Sequence, residues 1–273
     1  MCMRTFPLRQ APPHFALVQS DLALAFELAD LAAALSLPRF RRRDFSISSK
    51  PDGSVVTDID VVIETALREK LALDRPDHMV LGEERGTSGS SIWCWYLDPI
   101  DGTSRFIDGD PKWMTLIALA QDERVVLGIV DLPALGERWW AARGHGAFHD
   151  GRRLSVSSRG HLGEAVVSDT WHQDLARGHD DHPLSVIAAH CAEIRPHLGH
   201  SFLAVAAGQA DIAVQRGSAP WDYAPLKVIL EEAGGRYTDF DGTDRIDTGD
   251  VVGTNGLLHE AVLDLLPRVG PAA

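Results

Sequence analysis

Two carboxylates that could bind a metal ion lie three residues apart in the stretch Asp98–Thr103, whose sequence is DPIDGT. The stretch follows an apolar run, Trp93 to Leu97, and its proline and glycine favour a rigid turn. Such a turn can direct Asp98, Asp101 and the carbonyl group between them at one point. Mg²⁺ prefers oxygen ligands in a tight geometry that leaves positions for water and a substrate phosphate. The spacing therefore predicts a divalent metal site, and the alternative is an ordinary surface turn rich in aspartate, proline and glycine.

Further acidic residues lie beside apolar segments elsewhere in the chain. Glu83 and Glu84 follow the run Met79 to Leu81. Asp60 ends a β-prone stretch, and Asp222 opens a helical pattern. Each could be a solvated surface acid, which is the usual state of a lone Asp or Glu. Together with DPIDGT they supply carboxylates from separated segments, and that is the set of ligands that a phosphoryl-transfer site with two or three metal ions requires.

The composition and the net charge limit the class of protein. The chain has 273 residues, a net charge of −13 and 45% hydrophobic residues, which is typical of a globular protein with a large core. The acidic balance argues against a nucleic-acid polymer as partner, because such binding requires a basic face. No stretch is apolar enough to span a bilayer, and the N-terminus lacks the apolar segment of a signal peptide. The three cysteines do not suggest a disulfide framework. We therefore expect a cytoplasmic protein without a membrane partner.

The hydrophobic periodicity predicts two differently organised halves. Residues 1–13 are predicted to be a flexible tail, and residues 14–273 a single unit with an α+β half (about 14–158) and an α/β half (about 159–273). Residues 85–91 are predicted to be a loop. The predicted helices span Phe15–Leu35, Ile59–Leu73, His182–Ala192, Ser201–Gly208 and Asp222–Ala233. The predicted strands span Met114–Gln121, Arg124–Asp131, Glu137–Ala142, Glu164–Asp169, Ala210–Gln215 and Gly235–Asp239.

Four of these segments resemble the motifs of the inositol monophosphatase family of Mg²⁺-dependent, lithium-sensitive phosphatases. The two signatures of the family resemble Trp95–Thr103 and Trp221–Gly235, and Gly82–Glu84 and Val56–Asp60 fit in order and spacing. The likeness runs from about residue 17 to residue 266, and within the family the chain is most similar to actinobacterial-type histidinol-phosphate phosphatases. The resemblance implies a layered αβαβα sandwich, phosphomonoester hydrolysis with two or three Mg²⁺ ions per site, and a homodimer.

The resemblance also implies a role for individual residues. Glu83, Asp98 and the carbonyl of Ile100 would hold a first metal ion, and Asp98, Asp101 and Asp222 a second, with Glu83 contributing to a weaker third. The catalytic residues would be Asp60, Thr103 and Glu83, with Thr103 binding the attacking water and Asp60 orienting Thr103, since a hydroxyl group relays a proton best with a carboxylate behind it. The residues expected to contact the substrate are Gly102, Thr103, Ser104, Arg105 and Gln215.

Two positions depart from the family pattern and affect the choice of substrate. Ser104-Arg105 replaces the usual Thr or Lys followed by Asn, and Arg105 would either contact the substrate or point outward. Gln215, seven residues before Asp222, replaces a Glu that contacts substrate hydroxyl or amine groups in relatives. A neutral amide would bind the ammonium group of histidinol phosphate more weakly. Histidinol phosphate is nevertheless the leading substrate. Alternatives are a nucleoside monophosphate, an aminosugar phosphate or an inositol phosphate, or else a non-catalytic relative that binds metal or phosphate.

Overall fold

The computed structural model describes residues 13–169, 183–196, 200–217 and 219–266, which form alternating layers of helices and sheets. The helices are α1 (Pro13–Arg42), α2 (Asp58–Asp74), α3 (Thr103–Asp108), α4 (Pro183–Ala188), α5 (Ser201–Ala206), α6 (Pro220–Glu232) and α7 (His259–Leu263), and a 3-10 helix spans Leu162–Glu164. The strands are β1 (Ile47–Ser49), β2 (Val55–Thr57), β3 (Met79–Gly82), β4 (Gly86–Ser88), β5 (Trp93–Asp101), β6 (Met114–Gln121), β7 (Arg124–Leu132), β8 (Glu137–Ala142), β9 (Gly146–His149), β10 (Arg152–Arg153), β11 (Val166–Asp169), β12 (Glu193–Pro196), β13 (Ile212–Arg216), β14 (Arg236–Asp239) and β15 (Asp250–Thr254).

The strands form two large sheets and one hairpin. The larger sheet has the order β10-β9-β8-β7-β6-β5-β3-β4, and its strands pair antiparallel except for β3 with β5. The smaller sheet has the order β12-β11-β13-β15-β14, in which β11 runs parallel to both of its neighbours. β1 and β2 pair antiparallel on their own. The topology thus changes from mostly antiparallel to mixed between the two halves of the chain.

Three hydrophobic cores separate the layers. One core packs α1 and α2 against a face of the larger sheet, through residues such as Leu28, Ile63 and Ile117. A second core encloses α5 and α6 between the two sheets. A third lies on the far face of the smaller sheet, where α4 and α7 pack against it. The order is therefore α, β, α, β, α, and the predicted sandwich is confirmed.

Helix α6 lies very close to the larger sheet at Gly128, in the middle of β7. A methyl group on Gly128 would be 2.6 Å from Pro225 Cα and 2.8 Å from Val228 Cγ1. Because no side chain fits there, the helix rests on the backbone of the strand. This contact fixes the height above the sheet of the helix that begins beside Asp222.

The first helix differs from its prediction. The expected end before Pro38 is wrong, because α1 continues through this proline to Arg42. Proline removes one helical hydrogen bond, but the aromatic ring of Phe40 packs against Phe106 and Trp113 at centroid distances of 5.3 and 5.5 Å. The tertiary contacts therefore outweigh the lost bond.

The remaining elements match the sequence-based expectations unevenly. The three strands predicted from Met114 to Ala142 are observed to within one residue. The segment 85–91, expected to be a loop, contains the short strand β4, and β15 and α7 were not predicted. Residues 1–12 lie outside the described residues, and residue 13, assigned to the tail, begins α1. Among the described helices, none is both long and apolar enough to cross a membrane.

Candidate active site

The DPIDGT turn lies at the end of the buried strand β5, in the interior of the larger sheet. The register between β5 and β6 shifts between Asp98 and Asp101, so the strand has an irregularity there that re-aims its side chains. The turn is braced from inside, since Ile100 N donates to Asp98 Oδ1 at 3.0 Å and Thr115 Oγ1 donates to Pro99 O at 2.8 Å. Asp98 is only 2% exposed. The sheet therefore holds both carboxylates in fixed positions.

A third carboxylate comes from the start of α6. Ala219 N donates to Asp222 Oδ2 at 2.8 Å, so this acid also caps the helix that carries it. One carboxylate oxygen from each of Asp98, Asp101 and Asp222 lies within 4.8 Å of the other two. The structure thus brings together acids that are more than 120 residues apart in the sequence.

The electrostatics of this cluster favour a bound cation. Burial, followed by repulsion from neighbouring acids, raises the pKa of Asp98 well above its usual range. The same causes raise the pKa of Asp101 to about 7, and burial raises that of Asp222 to about 6. Three neighbouring acids, of which Asp98 is buried and the other two are half-buried, repel one another unless a positive charge lies between them. An all-carboxylate donor set of this kind fits Mg²⁺.

Glu83 lies beside the cluster rather than within its three-residue group. Repulsion from its carboxylate contributes, after burial, to the raised pKa of Asp98. Lys50 Nζ lies 2.7 Å from Glu83 Oε1 and 2.8 Å from Glu84 Oε1. Although burial lowers the pKa of Lys50, its bonds to the two glutamates raise it overall. The positive charge therefore lies at the site, although Lys50 is not among the site residues predicted from the sequence.

Glu84 is nearly buried, with a side chain that is 6% exposed. Burial raises its pKa to about 6 against the opposing effect of Lys50. It therefore lies behind Glu83 as a partner of the lysine.

Thr103 and Asp60 meet as the resemblance implied. Thr103 Oγ1 lies 3.4 Å from Asp60 Oδ1 and 3.1 Å from the carbonyl oxygen of Ile100. The other oxygen of Asp60 accepts hydrogen bonds from Thr57 N at 2.9 Å and Thr57 Oγ1 at 2.5 Å. Asp60 is fully buried, and this burial raises its pKa. Both its oxygens are engaged, so the orientation of the carboxylate is fixed relative to Thr103.

The residues after the turn form the short helix α3. Gly102 precedes it with φ of 79°, a conformation that glycine adopts without strain. Ser104 is exposed, whereas the Arg105 side chain folds back over the turn, since a methyl group on Gly102 would lie 3.4 Å from Arg105 Cδ. The charge of Arg105 lowers the pKa of Asp101 against the larger effect of burial. Arg105 thus lies beside the acidic cluster rather than pointing away from it.

Gln215 lies in the smaller sheet. It is half-buried on β13, opposite Val251 of β15, just before the segment that leads into α6. Its contact with a substrate stays a prediction. The Trp-His-Gln-Asp sequence of residues 171–174 is compatible with a wall of the substrate pocket or with a surface loop, and these residues lie outside the described part of the chain.

Comparison with known proteins finds matches along nearly the whole chain. A model of the inositol monophosphatase family matches residues 17–270. The histidinol-phosphatase of Mycobacterium tuberculosis is 43% identical over 255 residues, which cover 90% of this chain and 97% of that protein. The histidinol-phosphatase of Streptomyces coelicolor is 35% identical over 257 residues, which cover 90% and 96%. A solved inositol monophosphatase structure from Zymomonas mobilis is 31% identical with a TM-score of 0.76, and covers 90% of this chain and 97% of its own.

Proposed function

Because the chain belongs to the inositol monophosphatase family, and is therefore a phosphoric monoester hydrolase, we propose that it uses Mg²⁺ to hydrolyse a small phosphorylated metabolite, with histidinol phosphate as the leading substrate. The observation that carries this proposal is the meeting of Asp98, Asp101 and Asp222, from two halves of the chain, within 4.8 Å of one another. We propose that each site holds two or three ions, and that these acids, Glu83 and the Ile100 carbonyl group are their ligands.

Bound Mg²⁺ would neutralise the phosphate, stabilise the leaving alkoxide and lower the pKa of a water molecule. The protein's own groups would supply orientation and proton transfer. We propose that Thr103 hydrogen-bonds to the attacking water and that Asp60, whose Oδ1 lies 3.4 Å from the Thr103 hydroxyl oxygen, accepts a proton through this hydroxyl group. The amides of Gly102, Thr103 and Ser104 and the guanidinium group of Arg105 are proposed to contact the phosphate.

The choice of substrate depends on two opposing observations. Two relatives that are 43% and 35% identical are named as histidinol-phosphatases, which favours histidinol phosphate. Gln215 is neutral where an acid would pair with the ammonium group of that substrate, which counts against histidinol phosphate. We therefore keep nucleoside, aminosugar and inositol monophosphates as the second candidates.

The test is phosphate release from a panel of these monoesters, measured with Mg²⁺ and with chelator. We expect Mg²⁺-dependent turnover, fastest with histidinol phosphate. If no monoester releases phosphate in a Mg²⁺-dependent manner, the chain is a non-catalytic binder of metal or phosphate and the proposal is wrong. Gln215→Glu should raise the rate on amine-bearing substrates relative to neutral ones. If the ratio of the rates on amine-bearing and neutral substrates is the same in Gln215→Glu as in wild type, Gln215 does not determine specificity.

The homodimer is also a proposal, and it rests on the family alone. Light scattering on the purified protein tests it, and a mass of 29.8 kDa at micromolar concentration would refute it.

A further inference from the structure

Glu64 is a fully buried acid on helix α2 that the proposed reaction does not use. Its side chain is 0% exposed, and its Oε1 accepts a hydrogen bond from Arg68 Nε at 2.7 Å. It lies four residues after Asp60, so both acids project from the same face of the helix. Burial of a carboxylate costs free energy unless its oxygens are hydrogen-bonded. The hydrogen-bond partners of Glu64 therefore indicate its role.

The group that Glu64 holds is the turn that carries Glu83. Glu64 Oε2 accepts from Glu84 N at 2.7 Å, and Oε1 accepts from Arg85 N at 3.1 Å. The carboxylate also lies against Gly82, where a methyl group would be 2.4 Å from Oε1 and 2.5 Å from Cδ. The acid therefore touches the backbone on both sides of Glu83.

The same turn is also hydrogen-bonded to strand β5. Glu83 N donates to the carbonyl oxygen of Leu97 at 3.1 Å, directly before Asp98 in the chain. The Glu83 side chain lies close enough to Asp98 for its charge to raise, in addition to burial, the pKa of that residue. Glu64 and Leu97 together leave the backbone of Glu83 little freedom, so the direction of its carboxylate depends on both.

We infer that Glu64 is a positioning residue for Glu83, and that its buried carboxylate holds the Gly82–Arg85 turn so that Glu83 can act as a metal ligand beside Asp98. This inference rests on the proposed Mg²⁺ site. It makes α2 a supporting helix for two functional groups, because Asp60 holds Thr103 and Glu64 holds Glu83. Partners of this kind orient a metal ligand, and their loss typically weakens metal affinity about 10- to 100-fold.

The competing explanation is that Glu64 serves only to pair with Arg68. Arg68 also donates to Gly86 O and, at 2.7 Å, to Ser88 Oγ, so the ion pair joins α2 to β4. In that case the loss of Glu64 would lower stability without a specific effect on metal binding. The two explanations predict different effects of replacing Glu64 on Mg²⁺ affinity, both in the wild-type protein and in a variant in which Glu83 is already replaced.

The variant that separates them is Glu64→Gln, because the glutamine amide has only one acceptor oxygen. Whichever way the amide is turned, its NH₂ group faces the N–H of Glu84, or that of Arg85 and Arg68. Glu69→Gln is the matched control, since it makes the same change at an exposed position of the same helix. Circular dichroism in chelator first checks that each variant is folded, and titration calorimetry then measures Mg²⁺ binding.

We expect Glu64→Gln to weaken Mg²⁺ binding about 10-fold or more and to raise the half-saturating Mg²⁺ concentration of turnover by the same factor. The kcat at saturating Mg²⁺ should stay within about threefold of wild type, and Glu69→Gln should behave like wild type. In a Glu83→Gln background, Glu64→Gln should weaken Mg²⁺ binding less than about threefold further, since the two residues act as a unit.

A folded Glu64→Gln with Mg²⁺ affinity within twofold of wild type would overturn the inference, and so would an undiminished effect in the Glu83→Gln background. Failure of wild type itself to bind Mg²⁺ would instead refute the proposed function. If Glu64→Gln does not fold, the same titration is made on Glu64→Asp, which keeps the charge but is too short to reach the amides of Glu84 and Arg85 in the same way. Mg²⁺ affinity within twofold of wild type in that variant would likewise overturn the inference.

Discussion

Replacement of Asp98 by Asn should greatly weaken Mg²⁺ binding without unfolding the protein. The aspartate is surrounded by Glu83, Asp101 and Asp222, and these acids together with burial raise its pKa, so its charged form is disfavoured in the absence of metal. A neutral amide of the same shape relieves this repulsion, and its oxygen can still accept the hydrogen bond from Ile100 N. The metal-free variant should therefore be at least as stable as the metal-free wild type.

The magnitude follows from the linkage between binding and folding. At a Mg²⁺ concentration of 100 times its Kd, wild type gains about 2.7 kcal/mol. In a chain of this size, each kcal/mol shifts Tm by about 2–4 °C, so Mg²⁺ should raise Tm by about 5–10 °C. If loss of the shared ligand weakens binding 100-fold, the gain at the same concentration falls to about 0.4 kcal/mol. The Mg²⁺-induced shift in Asp98→Asn should then be about 1–2 °C, and kcat should fall at least about 1,000-fold.

The assay is thermal unfolding in chelator and in Mg²⁺, paired with phosphate release. Asp77→Asn is the control, because it makes the same change in an exposed loop. If Mg²⁺ raises the Tm of Asp98→Asn as much as that of wild type, Asp98 is not a metal ligand. A loss of more than about 2 kcal/mol in chelator would show that the aspartate stabilises the fold, which contradicts the electrostatic reasoning.

Three further predictions concern other parts of the molecule. Thr103→Val should lower kcat about 100-fold and leave the Mg²⁺-induced Tm shift unchanged, while Thr103→Ser keeps most activity; equal loss in both variants would rule out a role for the hydroxyl group. Burial lowers the pKa of His259 to about 4, so between pH 6.5 and 4 the unfolded chain binds a proton that the folded one does not. Stability should therefore fall by up to about 3 kcal/mol as the pH drops through this range, and urea unfolding of His259→Gln should show a smaller fall. Gly128→Ala should cost at least about 1–3 kcal/mol in urea unfolding and weaken Mg²⁺ binding, because the new methyl group would lie 2.6 Å from Pro225 Cα. Gly163→Ala, with nothing within 4 Å of the new methyl group, is its control, and equal losses in the two would refute the packing argument.

The acidic cluster was predictable because its information is local. Asp98 and Asp101 share one turn, and Asp222 opens a helix where an acid is also a natural cap, so residue type and spacing pointed to each position. That these three acids lie together was predicted only from the resemblance to a family. The residues between positions 101 and 222 carry no local signal that α6 begins beside β5. The layered fold was likewise predicted from the resemblance to the family.

Lys50 and Glu64 were missed because their roles depend on contacts distant in sequence. Lys50 reaches Glu83 and Glu84 across 33 and 34 residues, and the Pro-Asp-Gly sequence that follows it is typical of an ordinary turn. Glu64 follows Asp60 by one helical turn, but a glutamate in a helix is usually solvated, and no pattern marked it as buried. The helix end at Pro38 was wrong for a related reason, since the packing of Phe40 outweighed a local rule.

The contact between Gly128 and helix α6 also bears on how the sequence can change over time. At this point the helix meets the strand mainly through main-chain atoms of Pro225, so its height depends less on which apolar side chains fill the space around it. Exchanges of Leu, Ile and Val elsewhere in that layer alter local packing but do not lift the helix away. The distance between acids on β5 and the acid on α6 is therefore protected from drift in the core. Most core residues of this layer could therefore be exchanged one at a time while the spacing of these acids is kept, provided that position 128 remains glycine.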